Sequence, residues 1–257
     1  MANEKSQTTV ALSRTGDVAS IEFSSPDGIN IFSSRVVGEL GEAVEKVATD
    51  AQARFVVLRA KGKVFLAGAD IAQMQRFTQD EALAFARKGQ SVFDALERLP
   101  QVTIAAISGH ALGGGCEVAL ACDFRLTVAT AKFGQPEVRL GLIPGWGGTQ
   151  RLARYVPLGM ARRLLFSGEQ ITAEAARALH LVDEVVADAA ELEAAVQRWV
   201  TLLTPGSPAA VKHLKRAMLS GDEAGEFAKC FVGTEAREGT TAFLEKRAAG
   251  WTQRPPA

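Results

Sequence analysis

The sequence predicts an α/β fold, because short strand-like runs alternate with helix-like segments along most of its 257 residues. The continuous apolar run Val102–Ile107 is typical of a buried strand, whereas apolar residues spaced three and four apart over residues 36–47 are typical of an amphipathic helix. Beyond Pro205 helix formers continue without a strand-like run. We therefore predict two units, a core over residues 1–204 and a helical C-terminal region over residues 205–257.

The first half of the chain predicts a hairpin that is followed by alternating helices and strands. Residues 10–13 and 18–23 flank Thr15-Gly16-Asp17, a composition typical of a tight turn between two strands. After the helix over residues 36–47, a continuous apolar run predicts a strand over residues 55–58. Residues 65–70 are small and turn-like. A long amphipathic helix over residues 81–99 is expected to stop before Pro100.

The second half repeats this alternation and then changes character. The predicted elements are, in order, strand 102–107, a glycine-rich loop, helix 116–121, strand 124–128, a helix over 149–166 interrupted near Pro157 and Gly159, a short helix capped by Thr172 and ending near His180, and strand 181–186. Residues 208–247 then predict helices whose apolar face needs a partner surface.

Composition excludes several classes of partner. Apolar residues form 47% and charged residues 23% of the chain, which is typical of a globular protein with a sizeable core. Lys plus Arg and Asp plus Glu both total 29, so no net field favours nucleic acid or an anionic membrane. The apolar runs are too short to span a bilayer, and the first nine residues resemble neither a signal nor a transit peptide. We expect a cytoplasmic protein.

Cysteine and histidine usage predicts neither disulfides nor a metal site. The three cysteines, Cys116, Cys122 and Cys230, have no paired close spacing. The three histidines are far apart in sequence and form no HxxxH or HExxH pattern. We therefore expect reduced thiols and no bound metal.

The stretch GHALGGGCE, residues 109–117, places three glycines before a helix-like run. It lacks the Lys-Ser/Thr pair of a Walker loop, and the related glycine stretch after Pro144 has Gln150 where a dinucleotide fingerprint needs glycine. Glu117 would also repel a phosphate. The loop is instead suited to present backbone N–H groups to an oxygen that becomes negative during a reaction. The alternative is a glycine turn that only packs a strand against a helix.

A second glutamate, Glu137, follows Glu117 by twenty residues and also lies beside a glycine-rich stretch. Taken singly, Glu117 is a helix N-terminal acid and Glu137 a solvated loop charge. If both are buried close together, at least one pKa should rise towards the range useful for acid–base catalysis. Serine hydrolysis is disfavoured because no GxSxG motif is present, and Cys116 is better interpreted as a small apolar residue than as a nucleophile.

Three segments together carry a family resemblance. The run AISGHALGGGCEVALACDFRLTVATAKFGQPEVRLGLIPGWGGTQRLAR resembles the signature of the enoyl-CoA hydratase/isomerase (crotonase) family, and FLAGADIAQM and EGTTAFLEKR resemble its flanking segments. The likeness covers nearly the whole chain. It implies a crotonase-like spiral of repeated strand-strand-helix units with a C-terminal helical trimerisation region, assembled as a trimer or a dimer of trimers. It also implies a coenzyme A thioester as ligand.

The resemblance also assigns site residues by motif position. The N–H groups of Ala69 and Gly114 would form the oxyanion hole for the thioester carbonyl, Glu117 would activate water, Glu137 would exchange the α proton, and the Gly145 N–H would help to hold the water. Contacts to the acyl chain or to coenzyme A are implied for six further residues: Ala67, Asp70, Ile71, Ala72, Trp146 and Lys246. Ala72 stands where relatives often carry a basic residue, and Lys246 would reach the coenzyme A of a neighbouring subunit.

Retention of both glutamates favours one activity within this mixed family. The resemblance implies an enoyl-CoA hydratase of fatty-acid or related acyl-CoA catabolism, which adds water reversibly to a trans-2-enoyl-CoA. The alternatives are an enoyl-CoA isomerase, since relatives with that activity typically keep one of the two acidic positions, and a non-catalytic acyl-CoA or RNA-binding relative. No metal or redox cofactor is expected, since proton transfers need only carboxylates and water.

Overall fold

A computed structural model describes residues 7–252, in which strands and helices alternate up to residue 203. The first six and last five residues lie outside the described residues. They carry most of the stretch that was considered for targeting signals, and the outer ends of the two predicted units. The strands are β1 (Thr9–Thr15), β2 (Val18–Ser24), β3 (Phe55–Ala60), β4 (Val64–Leu66), β5 (Val102–Ile107), β6 (His110–Leu112), β7 (Phe124–Val128), β8 (Lys132–Gly134), β9 (Gln170–Thr172) and β10 (Glu184–Val186).

The α-helices surround two sheets. They are α1 (Ser34–Ala48), α2 (Ile71–Met74), α3 (Gln79–Glu97), α4 (Gly114–Leu120), α5 (Gly148–Tyr155), α6 (Leu158–Ser167), α7 (Ala173–Ala178), α8 (Ala189–Leu203), α9 (Pro208–Ser220), α10 (Glu223–Lys229) and α11 (Glu235–Leu244). Two short 3₁₀ helices span Pro136–Leu140 and Gly250–Thr252. The predicted α/β class is confirmed.

The larger sheet has the strand order β1-β2-β3-β5-β7-β10 and is parallel except for the β1–β2 hairpin. Every residue of β5 is buried, as are the first four of β3, because parallel strands are covered on both faces. This burial explains why both strands appear in the sequence as continuous apolar runs. Helix α1 begins at its cap Ser33 and packs against α3 with a buried stripe that includes Val36, Leu40 and Val44.

The smaller sheet has the order β4-β6-β8-β9, in which β4, β6 and β8 are parallel and β9 is antiparallel. Strands of the two sheets follow one another along the chain, so that β3 leads to β4 and then to helices α2 and α3. In the same way β5 leads to β6 and α4, and β7 leads to β8 and the first 3₁₀ helix. The implied spiral of strand-strand-helix units is therefore present.

Some predicted bounds were wrong. The four strands of the smaller sheet were not predicted, and β4 occupies part of the segment interpreted as turn-like, because three residues are too few to show alternation. The predicted interruption near Pro157 in the helix over 149–166 is confirmed, since the segment forms two helices, α5 and α6, on either side of a proline that lacks an N–H. The last strand begins at Glu184 rather than at residue 181. The Leu181 N–H donates to the Ala176 carbonyl and the Leu181 carbonyl accepts from the Arg125 side chain, so both groups bond outside the sheet.

The C-terminal region is helical and is joined to the strands by two basic side chains. The Arg54 guanidinium donates to the carbonyl oxygens of Thr204, Gly206 and Trp251 at 2.7–2.9 Å. Lys215 Nζ lies 2.7 Å from Asp123 Oδ2. Large apolar side chains of this region remain exposed: Leu214, Met218, Phe227, Phe231, Val232, Phe243 and Leu244. Within residues 7–252 no helix has the length and apolarity that a membrane crossing requires.

Candidate active site

Three functional segments follow three neighbouring strands of the smaller sheet. Residues 67–70 follow β4, the glycine loop follows β6, and residues 135–137 follow β8. Because these strands are parallel, their carboxyl ends meet at one edge of the sheet. Segments that are separated by up to seventy residues in sequence are thereby brought side by side.

Ala69 presents its N–H on one side of this edge. The Phe32 N–H donates to the Gly68 carbonyl and the Asp70 N–H donates to the Phe32 carbonyl, both at 2.8 Å. In such a parallel bridge the N–H of the intervening residue points away from the partner strand. The Ala69 N–H therefore faces away from Phe32 and is open to another acceptor.

Gly114 presents a second N–H at the beginning of helix α4, where the first N–H groups of a helix have no acceptor within the helix. Gly113 before it has φ 52°, a left-handed conformation that favours glycine. A Cβ built on Gly68 would lie 3.7 Å from the Gly114 nitrogen, so the loops that carry the two N–H groups are in contact. The two predicted oxyanion donors thus belong to adjoining loops.

Glu117 lies in the first turn of α4 and is 2% exposed. Its Oε1 accepts hydrogen bonds from the N–H groups of Trp146 and Gly148, each at 2.8 Å. Both bonds go to the same oxygen, so they fix the direction of the carboxyl group and leave Oε2 for another partner. The glycine stretch 145–148 is therefore the support of Glu117.

Glu137 lies in the 3₁₀ helix that follows β8, with its Oε1 against the backbone of Gly113. A Cβ on Gly113 would be only 2.8 Å from that oxygen. The other oxygen, Oε2, is buried without a hydrogen-bond partner in residues 7–252. The carboxyl group of Glu137 consequently faces the glycine loop immediately before α4.

Burial raises the pKa of both acidic groups. At Glu117, burial and, after it, the charge of Glu137 raise the pKa to about 7 against the opposing hydrogen bonds from Gly148 and Trp146. Burial likewise raises the pKa of Glu137. A carboxyl group with a pKa of about 7, as at Glu117, exchanges protons efficiently near neutral pH. This edge of the sheet thus brings two backbone N–H groups and two carboxyl groups with raised pKa values to one place.

Trp146 fills the space behind Gly114. Its indole is buried among the rings of Phe32, Phe85 and Phe93, at centroid distances of 5.1–5.5 Å. A Cβ on Gly114 would lie 2.4 Å from Trp146 Cζ3, so only glycine fits beside this ring. The indole of Trp146 is therefore part of the hydrophobic core beside the glycine loop.

The remaining predicted contact residues are less closely tied to the carboxyl groups. Ala67, Ile71 and Ala72 are exposed on the segment around Ala69, and Asp70 caps helix α2 by accepting the Gln73 N–H. Lys246 follows α11 in the C-terminal region and is exposed. No hydrogen bond or ion pair joins its side chain to the site in the part of the chain that is described. Their roles as substrate contacts stay predictions.

The support of Glu117 was not predicted. Sequence reasoning named the Gly145 N–H as a water ligand, a role that stays a prediction, but it did not identify the N–H groups of Trp146 and Gly148 as donors to Glu117. It also missed the buried Arg151, and Gln135, whose buried amide group has no partner in the described segment. The glycine pair at the start of α5 could have indicated this support of Glu117, since a helix N-terminus offers free N–H groups.

Other chemistries find little support at this edge. Cys116 is fully buried in α4, and burial, followed by the charges of Glu137 and Glu117, raises the pKa of its thiol to about 12. A thiol in that state is not a nucleophile near neutral pH. No group of three or more His, Cys, Asp or Glu side chains is arranged to hold a metal ion within residues 7–252.

Known proteins resemble this chain over nearly its whole length. The sequence profile described as Enoyl-CoA hydratase/isomerase matches residues 13–254. A short-chain-enoyl-CoA hydratase of Clostridium acetobutylicum is 38% identical over 93% of this chain and 95% of its own, and a crotonyl-CoA hydratase of Syntrophomonas wolfei is 39% identical over 94% and 97%. The crystal structure of an enoyl-CoA hydratase from Bacillus anthracis superposes with a TM-score of 0.86 at 32% identity, covering 93% of this chain and 97% of that one.

Proposed function

This chain belongs to the enoyl-CoA hydratase/isomerase family and is an enzyme that hydrates enoyl-CoA; we propose that Glu117 and Glu137 share the proton transfers while Ala69 and Gly114 hold the thioester oxygen. The observation that carries this assignment is the pair of carboxyl groups, both with raised pKa values, that lie beside the two N–H groups at one sheet edge.

The reaction adds water across the double bond of a trans-2-enoyl thioester. The water oxygen bonds to the β carbon, the π electrons move towards the thioester oxygen to give an enolate-like state, and the α carbon then takes a proton. The N–H groups of Ala69 and Gly114 would stabilise the negative oxygen, at roughly 3 kcal/mol of barrier for each well-placed donor. The product is a 3-hydroxyacyl-CoA.

Each carboxyl group has a separate task in this scheme. Glu117, fixed through Oε1, would use Oε2 to orient the water and to accept its proton. Glu137 would deliver a proton to the α carbon and take it back in the reverse direction. A pKa of about 7 at Glu117 keeps both its protonation states accessible near neutral pH, as a reversible proton transfer requires. The Gly145 N–H is proposed to hold the same water.

An assay of crotonyl-CoA tests these roles. Loss of the absorbance of the conjugated enoyl thioester reports hydration directly, and Glu117→Gln and Glu137→Gln each remove one proton-transfer group. Each substitution is expected to lower kcat by at least about a hundredfold. Matched folding of the variants is checked by circular dichroism, with the exposed Glu174→Gln as a control. Wild-type rates in both folded variants would refute the assignment.

The nearest alternative is an enoyl-CoA isomerase. That activity needs one group to move a proton between the α and γ carbons, whereas the second buried carboxyl group has a use when water is added. Two substrates in H₂¹⁸O separate the activities. Hydration of a trans-2-enoyl-CoA places ¹⁸O in the product, whereas an isomerase converts a 3-enoyl-CoA into the 2-enoyl isomer without taking up ¹⁸O. A non-catalytic acyl-CoA or RNA-binding role is further disfavoured by the balanced charge of the chain.

We further propose a short acyl chain as substrate. The indole of Trp146 occupies the space behind Gly114, next to the position proposed for the thioester carbonyl. The Clostridium and Syntrophomonas relatives are named as short-chain and crotonyl-CoA hydratases, which supports the same size. A large ring at this position leaves little room for a long chain.

Trp146→Leu should therefore extend the range of acyl lengths. We expect the ratio of kcat/KM for trans-2-octenoyl-CoA to that for crotonyl-CoA to rise at least about tenfold, because Leu vacates part of the space of the ring. The backbone N–H of residue 146 is retained. Trp199→Leu, at a partly buried ring that packs on Phe124 elsewhere, is the control. An unchanged ratio would contradict the proposed position of the acyl chain.

The remaining proposals concern the surroundings of the reaction. No metal or redox cofactor is needed, because water and two carboxyl groups suffice for the chemistry and coenzyme A arrives as part of the substrate.

We propose that the exposed apolar C-terminal helices assemble the chain into a homo-oligomer, a trimer or a dimer of trimers. Lys246 would contact the coenzyme A of a neighbouring subunit in this assembly. A cytoplasmic location is supported by three unpaired cysteines.

A further inference from the structure

The loop that supports Glu117 has few side chains of its own. Residues 145–148 are Gly-Trp-Gly-Gly, so Trp146 has the only side chain in the loop. Gly147, which precedes α5, has φ 108° and no side-chain capping bond. Because glycine-rich backbone is conformationally free, the two N–H groups that bind Glu117 depend on contacts from outside the loop. Two of these come from α3: Gln90 donates to the Gly145 carbonyl at 2.9 Å, and the Trp146 indole N–H donates to the Phe85 carbonyl at 3.3 Å.

Arg151 supplies such a support from one turn into α5. Its side chain is 3% exposed and turns back towards the loop, where Nη1 donates to the Trp146 carbonyl at 2.9 Å. The close approach explains the glycine at position 147, since a Cβ there would lie 2.2 Å from Nη1. Trp146 thus binds Glu117 through its backbone N–H and binds Arg151 through its carbonyl oxygen.

The other edge of the guanidinium is fixed to helix α3. Nε and Nη2 donate to Glu97 Oε2 at 3.1 and 2.9 Å, and Nη2 donates to Asp94 Oδ1 at 2.5 Å. A planar guanidinium can make these bonds and the bond to Trp146 at the same time, whereas the point charge of a lysine cannot. Arg151 therefore connects the loop to a long helix.

Arg151 is also the cation that acts on Glu117. Its charge lowers the pKa of Glu117 and so opposes the effects of burial and of Glu137. The charged groups around this pair are Asp94 and Glu97 of α3, Arg98, which lies 4.0 Å from Asp94, Arg154, which pairs with Glu97, and Glu137 of the 3₁₀ helix.

We propose that Arg151 is a positioning residue for hydration, which holds the loop 145–148 against α3 and thereby holds the Glu117 carboxyl group in its working direction. The inference rests on the role proposed above for Glu117. Arg151 makes two separable contributions, which are the hydrogen bonds of its planar guanidinium and its positive charge.

Titration of Glu117 tests the charge without any reference to catalysis. Protein labelled with ¹³C at the glutamate carboxyl groups is followed by NMR, with Glu117 assigned through Glu117→Gln. In Arg151→Met the Glu117 titration should move up by roughly half to one pH unit. In Glu97→Gln, where Arg151 keeps its charge and loses a negative neighbour, it should move down. Arg162→Met, at an exposed arginine of α6, is the control.

Kinetics with crotonyl-CoA test the hydrogen bonds of the Arg151 guanidinium. Arg151→Lys keeps the charge and loses the planar geometry, so its Glu117 titration should move less than in Arg151→Met while kcat falls by roughly ten- to a hundredfold. Arg162→Met should keep the wild-type rate. Should Arg151→Met not fold, the opposite sign predicted for Glu97→Gln still decides. A Glu117 titration that is unmoved in both Arg151→Met and Glu97→Gln, or wild-type kcat in Arg151→Lys, would overturn the proposal. Absence of hydration by the wild-type protein would instead refute the proposed function.

Discussion

At the scale of single residues, Glu117 is buried in a position where its ionised form is unfavourable. Its pKa rises from the usual 4.5 to about 7, so the folded protein binds this proton more tightly than the unfolded chain does. Stability from this group is present below pH 4.5 and is lost as the pH rises to 7. A site suited to proton transfer therefore carries a cost in stability.

Glu117→Gln should accordingly stabilise the protein at high pH. The amide oxygen can still accept the N–H groups of Trp146 and Gly148, and no charge is buried. We expect the free energy of unfolding to exceed that of the wild type at pH 8 by on the order of 3 kcal/mol, and to match it near pH 4.5. Urea unfolding at the two pH values measures the difference.

An exposed acid provides the control for this comparison. Glu174→Gln should leave the difference between the pH values as in the wild type, because its side chain lies on the surface of α7. A Glu117→Gln gain that is equal at both pH values would show that Glu117 is not the group that titrates between them.

At the scale of elements, helix α9 is attached to the core by a salt bridge. Lys215 Nζ donates to Asp123 Oδ2 and to the Gln101 carbonyl at 2.7 and 2.8 Å, and its side chain is 11% exposed. Asp123 Oδ2 also accepts from the N–H and hydroxyl of Thr103 in β5. One carboxylate oxygen thereby joins the C-terminal region to the central strands.

Removal of this cation should loosen α9. Lys215→Met leaves Asp123 partly buried with its Thr103 bonds alone, and we expect a loss of about 1–3 kcal/mol in the free energy of unfolding. Hydrogen exchange should increase in α9 more than in β3. Arg216→Met changes the next residue along the helix, which is exposed, and should leave both measurements at wild-type values. Equal exchange in Lys215→Met and Arg216→Met would contradict the attachment.

At the scale of the whole molecule, the C-terminal helices expose a set of large apolar side chains. Met218, Phe243 and Leu244 are each about four-fifths exposed, and Phe227 and Phe231, which stack edge to face, line a groove together with Met218. Exposed apolar surface of this kind usually marks an interface. This surface supports the homo-oligomer proposed above, in which identical chains cover one another's apolar helices.

Charged substitutions on this surface should dissociate the assembly. We expect the wild type to sediment as a trimer or a hexamer, and the double variant Met218→Glu, Leu244→Glu to sediment as smaller species, because burying two carboxylates in an interface is unfavourable. Leu202→Glu changes an exposed leucine of α8, outside the C-terminal region, and serves as the control. Sedimentation of the wild type as a monomer would refute the proposed assembly.

The sequence predicted those features that depend on local pattern. The hairpin around Gly16, the buried strands β3 and β5 and the Thr172-capped helix were predicted because side-chain periodicity, turn residues and caps act over a few neighbouring residues. The glycine loop and the two glutamates were also recognised as candidates, since their motifs are contiguous. The family followed from the order of three such segments.

Only the tertiary structure decided how these segments meet. The three-residue strands β4, β6 and β8 leave no periodic signal, yet their parallel pairing brings Ala69, Gly114 and Glu137 to one sheet edge. The pKa of Glu117 depends on burial and on Glu137, which is distant in sequence. The contact of Arg151 with Trp146, Asp94 and Glu97 likewise joins two helices across the core. Proximity, burial and charge depend on distance in space, and a linear pattern of residues does not contain that distance.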